Sequence, residues 1–222
     1  IDVGDVLTYI AKTAGGDPLP AWLNFDSATR TFSGTPINSD AGVIEITVTA
    51  NDSNGGTVSD EFQILVRGVN DAPNITAPLS IIVEEDVPEA LTGISFSDVD
   101  AGSNAVTATF SVTSGTLSAT SGGGVTVGGT ATVRTLSGSI NDINAFISLV
   151  NLTFTTALNA TANETLSVSI SDNGNSGTGS ALTDQATVTI EVTALNDAPV
   201  NTVPGPQQTD QDVPLVFSDG NG

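Results

Sequence analysis

The sequence predicts an all-β chain of tandem Greek-key antiparallel β-sandwiches, with one short helix in the second of them. Three observations predict it. Apolar residues alternate with Thr, Ser and Glu over many short runs, as in Ile44, Ile46, Val48 and Ala50 set between Glu45, Thr47 and Thr49. That is the period of half-buried strands. Gly, Asn, Asp and Pro gather between the runs, where turns need them. Finally, the stretch from Val66 to Asn74, which contains Asn70-Asp71-Ala72-Pro73, recurs from Val192 to Val200 with Asn196-Asp197-Ala198-Pro199.

The offset of 126 residues between Val66 and Val192 then holds without a gap: Pro78 falls on Pro204, and Asp86-Val87-Pro88 on Asp212-Val213-Pro214. Solenoid repeats run about 20–50 residues, so a period this long means serial domains. The expected divisions are a first module over 1–69, a joint over 70–74, a second module over 75–198, and the opening strands of a truncated third over 199–222.

Composition narrows the chemistry. The chain has 222 residues with no cysteine and no histidine. Disulfides, thiolate metal sites and the histidine base of a Ser-His-Asp arrangement are all excluded. No run approaches the length of a membrane span and no signal peptide opens the chain. With no methionine either, the chain is expected to be an excised piece of something larger. There are 25 acidic residues against 4 basic ones, Lys12, Arg30, Arg67 and Arg134. This balance argues against nucleic acid and anionic membrane as partners. It leaves a solvated acidic surface, or acids neutralised by hard cations with oxygen ligands.

In order, Val6 to Ile10 reads as the first strand. Trp22-Leu23-Asn24-Phe25 follows a Pro18-Leu19-Pro20 corner, and Thr31 to Pro36 follows the Asp26-to-Arg30 turn. Phe62, Ile64 and Val66 repeat the alternation after the Asp52-to-Gly56 loop, with Trp22, Phe25 and Phe32 as core anchors. This first module is expected to lack its opening strands, because Ile1 to Asp5 aligns with residues deep inside the second, Val99 to Ser103.

In the second module, Ile81-Ile82-Val83 leads into Glu84-Glu85-Asp86, and Ile94-Ser95-Phe96 into Asp98-Val99-Asp100. Strands are expected around 106–112, 115–119 and 125–136, with Gly122-Gly123-Gly124 and Gly128-Gly129 at turn positions. Residues 139–150 break the pattern: Ile140, Ile143, Ile147 and Val150 share a helical face flanked by Phe146, with Ser139 as cap. Leu152 and Phe154 start a strand, Leu166, Val168 and Ile170 alternate with serines, and Ala186 to Val192 closes the module.

The acids of this module sit at its ends: Glu84-Glu85-Asp86, Asp98-x-Asp100, Asp172-Asn173 and Asn196-Asp197. Calcium takes about six to eight oxygens from carboxylates, amides and carbonyls. An Asp-x-Asp pair on an irregular loop can aim two side chains at one ion. Asp and Asn also populate turns for purely local reasons. The recurrence of the whole set at a joint favours calcium (Ca2+).

These residues carry a family resemblance. The joint is similar to the inter-repeat linker of cadherins, with Asp98-x-Asp100 resembling their Asp-x-Asp pair and Asp172 their single loop aspartate. Gly4-Asp5-x-Leu7-Thr8-Tyr9, Leu19-Pro20-x-Trp22-Leu23-x-Phe25 and Phe32-Ser33-Gly34-Thr35-Pro36 resemble the dystroglycan-type cadherin-like domain. The second module resembles the cadherin-like repeats of bacterial RTX-type surface adhesins. That likeness rests on Asp142-Ile143-Asn144-Ala145, Leu152-Thr153-Phe154, the run from Leu166 to Gly174, and Leu195-Asn196-Asp197-Ala198-Pro199.

The resemblance implies calcium-rigidified sandwiches, exported and displayed at the bacterial cell surface, that extend a distal binding region in adhesion and biofilm attachment. It implies one ion among Asn70, Asp98, Asp100 and Asp172, a second group from Asp52, Asp71 and Glu85, and a similar site where Asn196 and Asp197 meet the tail. Departures are Asp2, which stands alone, and Gln211, which replaces the second acid of the Glu84-Glu85-Asp86 patch. Expected partners are calcium and neighbouring repeats, with homotypic strand exchange through residues 200–222 as a further hypothesis.

The runner-up is a carbohydrate- or protein-binding module. Sugar binding wants exposed aromatics on one face, whereas most of the 8 Phe, 1 Trp and 1 Tyr fit core periodicity. A glycosidase would pair carboxylates across a cleft, but these acids lie at module ends among amides and glycines. No enzymatic activity is expected. The sequons at Asn74, Asn151, Asn159 and Asn163 are read as chance.

Overall fold

The computed structural model describes residues 6–175, 177–199, 205–206 and 208–214. Among the described residues the chain is all-β with one α-helix, and the strands over 8–66, the first body, pair only with one another, as do those over 74–193, the second body. The expected third-module strands and their exchange between molecules fall largely on residues outside that description. Within residues 208–214 there is a turn, closed by the Val213 N–H on the Asp210 carbonyl at 3.2 Å.

The first body contains β1 (Thr8–Thr13), β2 (Leu23–Asp26), β3 (Thr31–Gly34), β4 (Gly42–Asn51) and β5 (Thr57–Val66). β1, β4 and β5 form one antiparallel sheet, and β2 and β3 a hairpin. Phe25, Phe32 and Phe62 meet between them, with ring centroids at 4.7 and 5.4 Å. Of the expected anchors, Phe25 and Phe32 therefore meet. They stay half-buried, however, and among the described residues of this body only Leu23 and Ile46 are buried apolar residues.

The second body begins with β6 (Asn74–Thr76), β7 (Ser80–Glu84), β8 (Glu89–Ala90), β9 (Ser95–Ser97) and β10 (Val106–Ser111). It continues with β11 (Thr116–Ala119), β12 (Thr126–Gly129), β13 (Val133–Gly138), α1 (Ile140–Ser148), β14 (Leu152–Thr155), β15 (Glu164–Ser171) and β16 (Thr183–Thr193). Its large sheet has the order β12-β13-β10-β15-β16-β7, and β11-β14-β8 forms a smaller sheet. All pairs in these sheets are antiparallel except β16 with β7. Alternation dictates the packing: in β10 the residues Val106, Ala108 and Phe110 are buried while Thr107, Thr109 and Ser111 are half-exposed. Phe110, Phe154, Leu117, Leu136, Ile143 and Ile170 are among the fully buried side chains of a single core.

The helix is where periodicity switches. Ser139 caps it, its Oγ accepting from the Asp142 N–H at 3.1 Å, and Ile140, Ile143, Phe146 and Ile147 are buried. Asn144 fastens it to β9, accepting from the Phe96 N–H at 2.9 Å and donating to the Phe96 carbonyl at 2.8 Å. Ser139→Ala is expected to lower the melting point of this body by the worth of one cap, about 1 kcal/mol, readable in a circular-dichroism melt.

Two local expectations are corrected. Val150 does not join the helical face: it lies past the C-terminal end with φ +56° and is 54% exposed. The strand expected over 125–136 is two strands, β12 and β13, folded back on each other so that Gly129 pairs with Arg134. Gly129 makes the turn, with φ +86° and a position where a Cβ would lie 2.0 Å from the Val133 carbonyl oxygen.

Candidate cation sites at the two ends of the second body

The segment from β5 to β6 is bonded to acids of two loops, Asp100 after β9 and Asp172 after β15. β9 ends in a loop in which Asp98 Oδ1 accepts from the N–H groups of Asp100 and Ala101, both at 3.0 Å. That turn sets the two carboxyl groups side by side. Asp100 Oδ2 takes the Asp71 N–H at 3.2 Å, so the joint itself is held against the pair. Asp98 Oδ2 and Asp100 Oδ1 are buried and have no hydrogen-bond partner among the described residues. Burial, and then the neighbouring Asp100 carboxyl, push the Asp98 carboxyl above its ordinary value.

Asn70 and Asp172 stand next to this pair. Asn70 is 7% exposed and Asp172 1%, and the Asn70 amide donates to Asp172 Oδ2 at 2.6 Å and to the Ser180 carbonyl at 3.1 Å. Asp172 Oδ1 accepts from Gly174 and Leu182 N–H groups, each at 2.8 Å. Burial raises the Asp172 carboxyl, but these donors outweigh it and leave the group below its ordinary value. Asp172 thus serves here as the anchor that orients Asn70.

A group whose folded pKa is depressed contributes stability above its unfolded value of 3.8, and loses it as pH falls through the lower folded value. Asp172→Asn, which puts an amide nitrogen against the donor of Asn70, is expected to cost about 1–3 kcal/mol at neutral pH. Urea titrations at neutral and strongly acidic pH should show that cost fading in acid.

The far end holds a second group. β7 runs parallel to β16, with Glu84 beside Thr193, and carries Glu85 the length of the body. The Glu85 N–H donates to the Thr193 carbonyl at 3.0 Å, and its Oε1 accepts from the Leu195 N–H at 2.7 Å. Glu85 is 3% exposed, and its Oε2 is buried without a hydrogen-bond partner among the described residues. Asp86, at φ +60°, follows it and takes the Asn159 N–H on both oxygens, at 3.0 and 3.2 Å. With its amide nitrogen turned toward the carboxylates, Asn159 reaches Asp86 Oδ2 at 3.2 Å and Asp197 Oδ2 at 3.0 Å. Asn196 donates to the Asp197 carbonyl at 3.4 Å.

The structure thus gathers Asn70, Asp71, Asp98, Asp100 and Asp172 at the entry to the second body, and Glu85, Asn196 and Asp197 at its exit. The expected grouping of Asp52 with Asp71 and Glu85 does not form. Asp52 lies in the β4–β5 loop, where its Oδ1 accepts from Asn54 and Gly56 N–H groups, each at 2.8 Å. β5 runs 10 residues from that loop to the joint, which at about 3.3 Å per residue is roughly 30 Å. Asp71 instead receives a short hydrogen bond from the Asn38 amide of the first body, and β7 carries Glu85 to the exit. Asn38 and Asn159 are neighbours of these acids that the sequence does not offer. Asp86 was visible as part of an acidic run, whereas nothing local in the sequence joins Asn159 to Asp197 or Asn38 to Asp71.

Among the described residues no three acidic side chains converge on one point. An ion held here would draw on amide and backbone carbonyl oxygens besides two carboxylates, a donor mixture that suits calcium. Four buried side-chain polar atoms lack hydrogen-bond partners among the described residues: Trp22 Nε1, Glu85 Oε2, Asp98 Oδ2 and Asp100 Oδ1. Three of the four are carboxylate oxygens at these two ends. A buried acceptor without a partner costs about 1–3 kcal/mol, and more when charged, so the donor set fits a hard cation.

Residues 1–67 match a family model described as "Putative Ig domain". No curated protein matches the sequence. Among solved structures, human CDH23 EC21-23 is similar at 18% identity and TM-score 0.51, over 94% of this chain and 64% of that one. The extracellular cadherin domains 1-5 of Protocadherin Gamma B2 align at 14% identity and TM-score 0.49, over 86% of this chain and 32% of theirs. Human mucin-like protocadherin EC1-2 aligns at 16% identity and TM-score 0.47, over 88% and 87%. The chain spans about a third of the Gamma B2 domains. What the likeness to CDH23 shows is the fold: this chain has an Ig-like, cadherin-like β-sandwich architecture.

Proposed function

We propose that the chain is a non-catalytic run of extender modules, stiffened by calcium at each end of the second body, in a bacterial surface adhesin of the RTX type. The modules are 1–69 and 75–198, joined over 70–74, with 199–222 opening a third. Exported and displayed at the cell surface, they project a distal binding region in adhesion or biofilm attachment. The observation that carries this reading is the set of orphaned carboxylate oxygens on Asp98, Asp100 and Glu85, placed where one module meets the next.

At the entry, Asp98 and Asp100 supply the unpartnered carboxylate oxygens, Asp172 orients Asn70, and Asp71 ties the joint to Asp100 through its N–H. At the exit, Glu85 supplies an unpartnered oxygen, and Asn159 links Asp86, the next residue, to Asp197. A bound calcium would supply the positive charge these oxygens lack. An ion bound by residues of both the joint and the sandwich would resist bending. For the alternative sugar-binding role, the depression on the large sheet is lined by Ser111, Ser167, Ser169, Gln185 and Thr187 among others, with no aromatic ring to stack on a sugar.

A thermal melt with millimolar calcium, and again with excess chelator, tests the reading. One site held at a hundred times its dissociation constant adds about 2.7 kcal/mol. Calcium should raise the melting point in a way magnesium does not reproduce; a melt unchanged by chelator would contradict the reading.

A further inference from the structure

The joint is also held by bonds that involve no acid at all. The loop between β15 and β16 folds back onto the joint, and Thr178 makes an isolated parallel bridge with Val69. The Thr178 N–H donates to the Gly68 carbonyl at 2.8 Å, and the Asn70 N–H donates to the Thr178 carbonyl at 3.2 Å. The Thr178 hydroxyl adds a bond to the Gly68 carbonyl at 3.0 Å. Two glycines let the backbones approach this closely. At Gly177, φ +68°, a Cβ would lie 2.5 Å from the Asn70 nitrogen and 2.6 Å from the Val69 carbonyl carbon. At Gly179 it would lie 3.3 Å from the Asn70 Cβ.

The base of the loop is bolted to the second body. Asn173 and Asn175 both donate to the Ala105 carbonyl, at 2.9 and 2.7 Å, and Asn104 donates to the Asn175 carbonyl at 3.1 Å. Asp172 closes it through the Gly174 and Leu182 N–H groups.

We propose that Gly177-Thr178-Gly179 is a metal-independent clasp that fixes the orientation of the first body on the second through main-chain bonds to Gly68 and Asn70. The inference rests on the reading of the chain as serial modules and not on calcium. It selects one orientation of the entry joint before any ion binds. Cations then add stability to an orientation that the backbone has already chosen. A side chain at position 177 releases it, because the loop must move off the joint to make room.

The chain has no cysteine, so two can be introduced for spin labels on exposed strand positions, Lys12→Cys on β1 and Gln185→Cys on β16. Pulsed dipolar spectroscopy then reads the distance distribution between the bodies. In excess chelator the parent should keep a single narrow distance, and adding Gly177→Val should abolish it. Thr178→Pro, which removes the N–H bonded to Gly68, should do the same, and circular dichroism would check that both variants keep their sheets. A parent as broad in chelator as the variants would overturn the clasp, and so would variants as narrow as the parent. Failure of the calcium reading is distinct: it appears as absence of calcium binding in a titration, with the contrast between parent and variants intact.

Discussion

Asp98→Asn is expected to stabilise the protein in chelator and to destabilise it, relative to the parent, in calcium. The side-chain oxygen that accepts from Asp100 and Ala101 survives in the amide, so the turn is kept. The atom that changes is Oδ2, which is buried without a partner beside the equally orphaned Asp100 Oδ1. An amide nitrogen there removes one of two adjacent charges and can donate to the other. Relief of an unsatisfied buried group is worth about 1 kcal/mol or more. With calcium present, the same change removes a ligand and forfeits up to about 2.7 kcal/mol per site at a hundredfold excess over the dissociation constant. Differential scanning calorimetry of the parent and variant under both conditions reads the crossing directly. A variant that loses stability equally in both would mean that Asp98 is a turn former only.

Phe110→Ala is expected to cost about 3–5 kcal/mol and to act on the second body alone. Phe110 is fully buried on β10, in the middle of the large sheet, and meets Phe96 edge-on at 6.2 Å. The loss is a large share of the ~5–15 kcal/mol that holds an ordinary domain together. The chain's 1 Trp, Trp22, lies in the first body, so its fluorescence reports there while far-ultraviolet circular dichroism reports on both. The dichroism transition should move down by many degrees while the fluorescence transition stays near its place. If the two move together, the bodies form one cooperative unit and the division into modules is wrong.

How far the sequence is legible depends on the range of the interaction. Alternation locates β10, β15 and β16, each of which buries one face, and also β4 and β5, of which only Ile46 is buried, and the switch of period at Ser139 locates α1. The turn that splits β12 from β13 is legible in the Gly128-Gly129 pair, although the run from Val125 to Leu136 otherwise reads as continuous strand. The same logic governs the candidate sites. Asp98-x-Asp100 is local, and its pairing can be read from two residues. Glu85 lies 14 positions after Asp71 yet belongs to the other end of the sandwich, since a strand converts proximity in sequence into distance in space. Asp52 goes astray for the same reason, with β5 between it and the joint. The clasp at Thr178 and the contact of Asn159 with Asp197 leave no local trace, because each is made by loops that only the folded sheets bring together.

The central claim is that the orphaned carboxylate oxygens at the two ends of the second body bind calcium. Titration calorimetry of the parent, Asp98→Asn and Glu85→Gln tests it most directly. The account predicts calcium binding to the parent, with a different part of it lost in each variant, because Asp98 lies at the entry and Glu85 at the exit. Absence of binding in the parent, or binding unchanged by both substitutions, would contradict it.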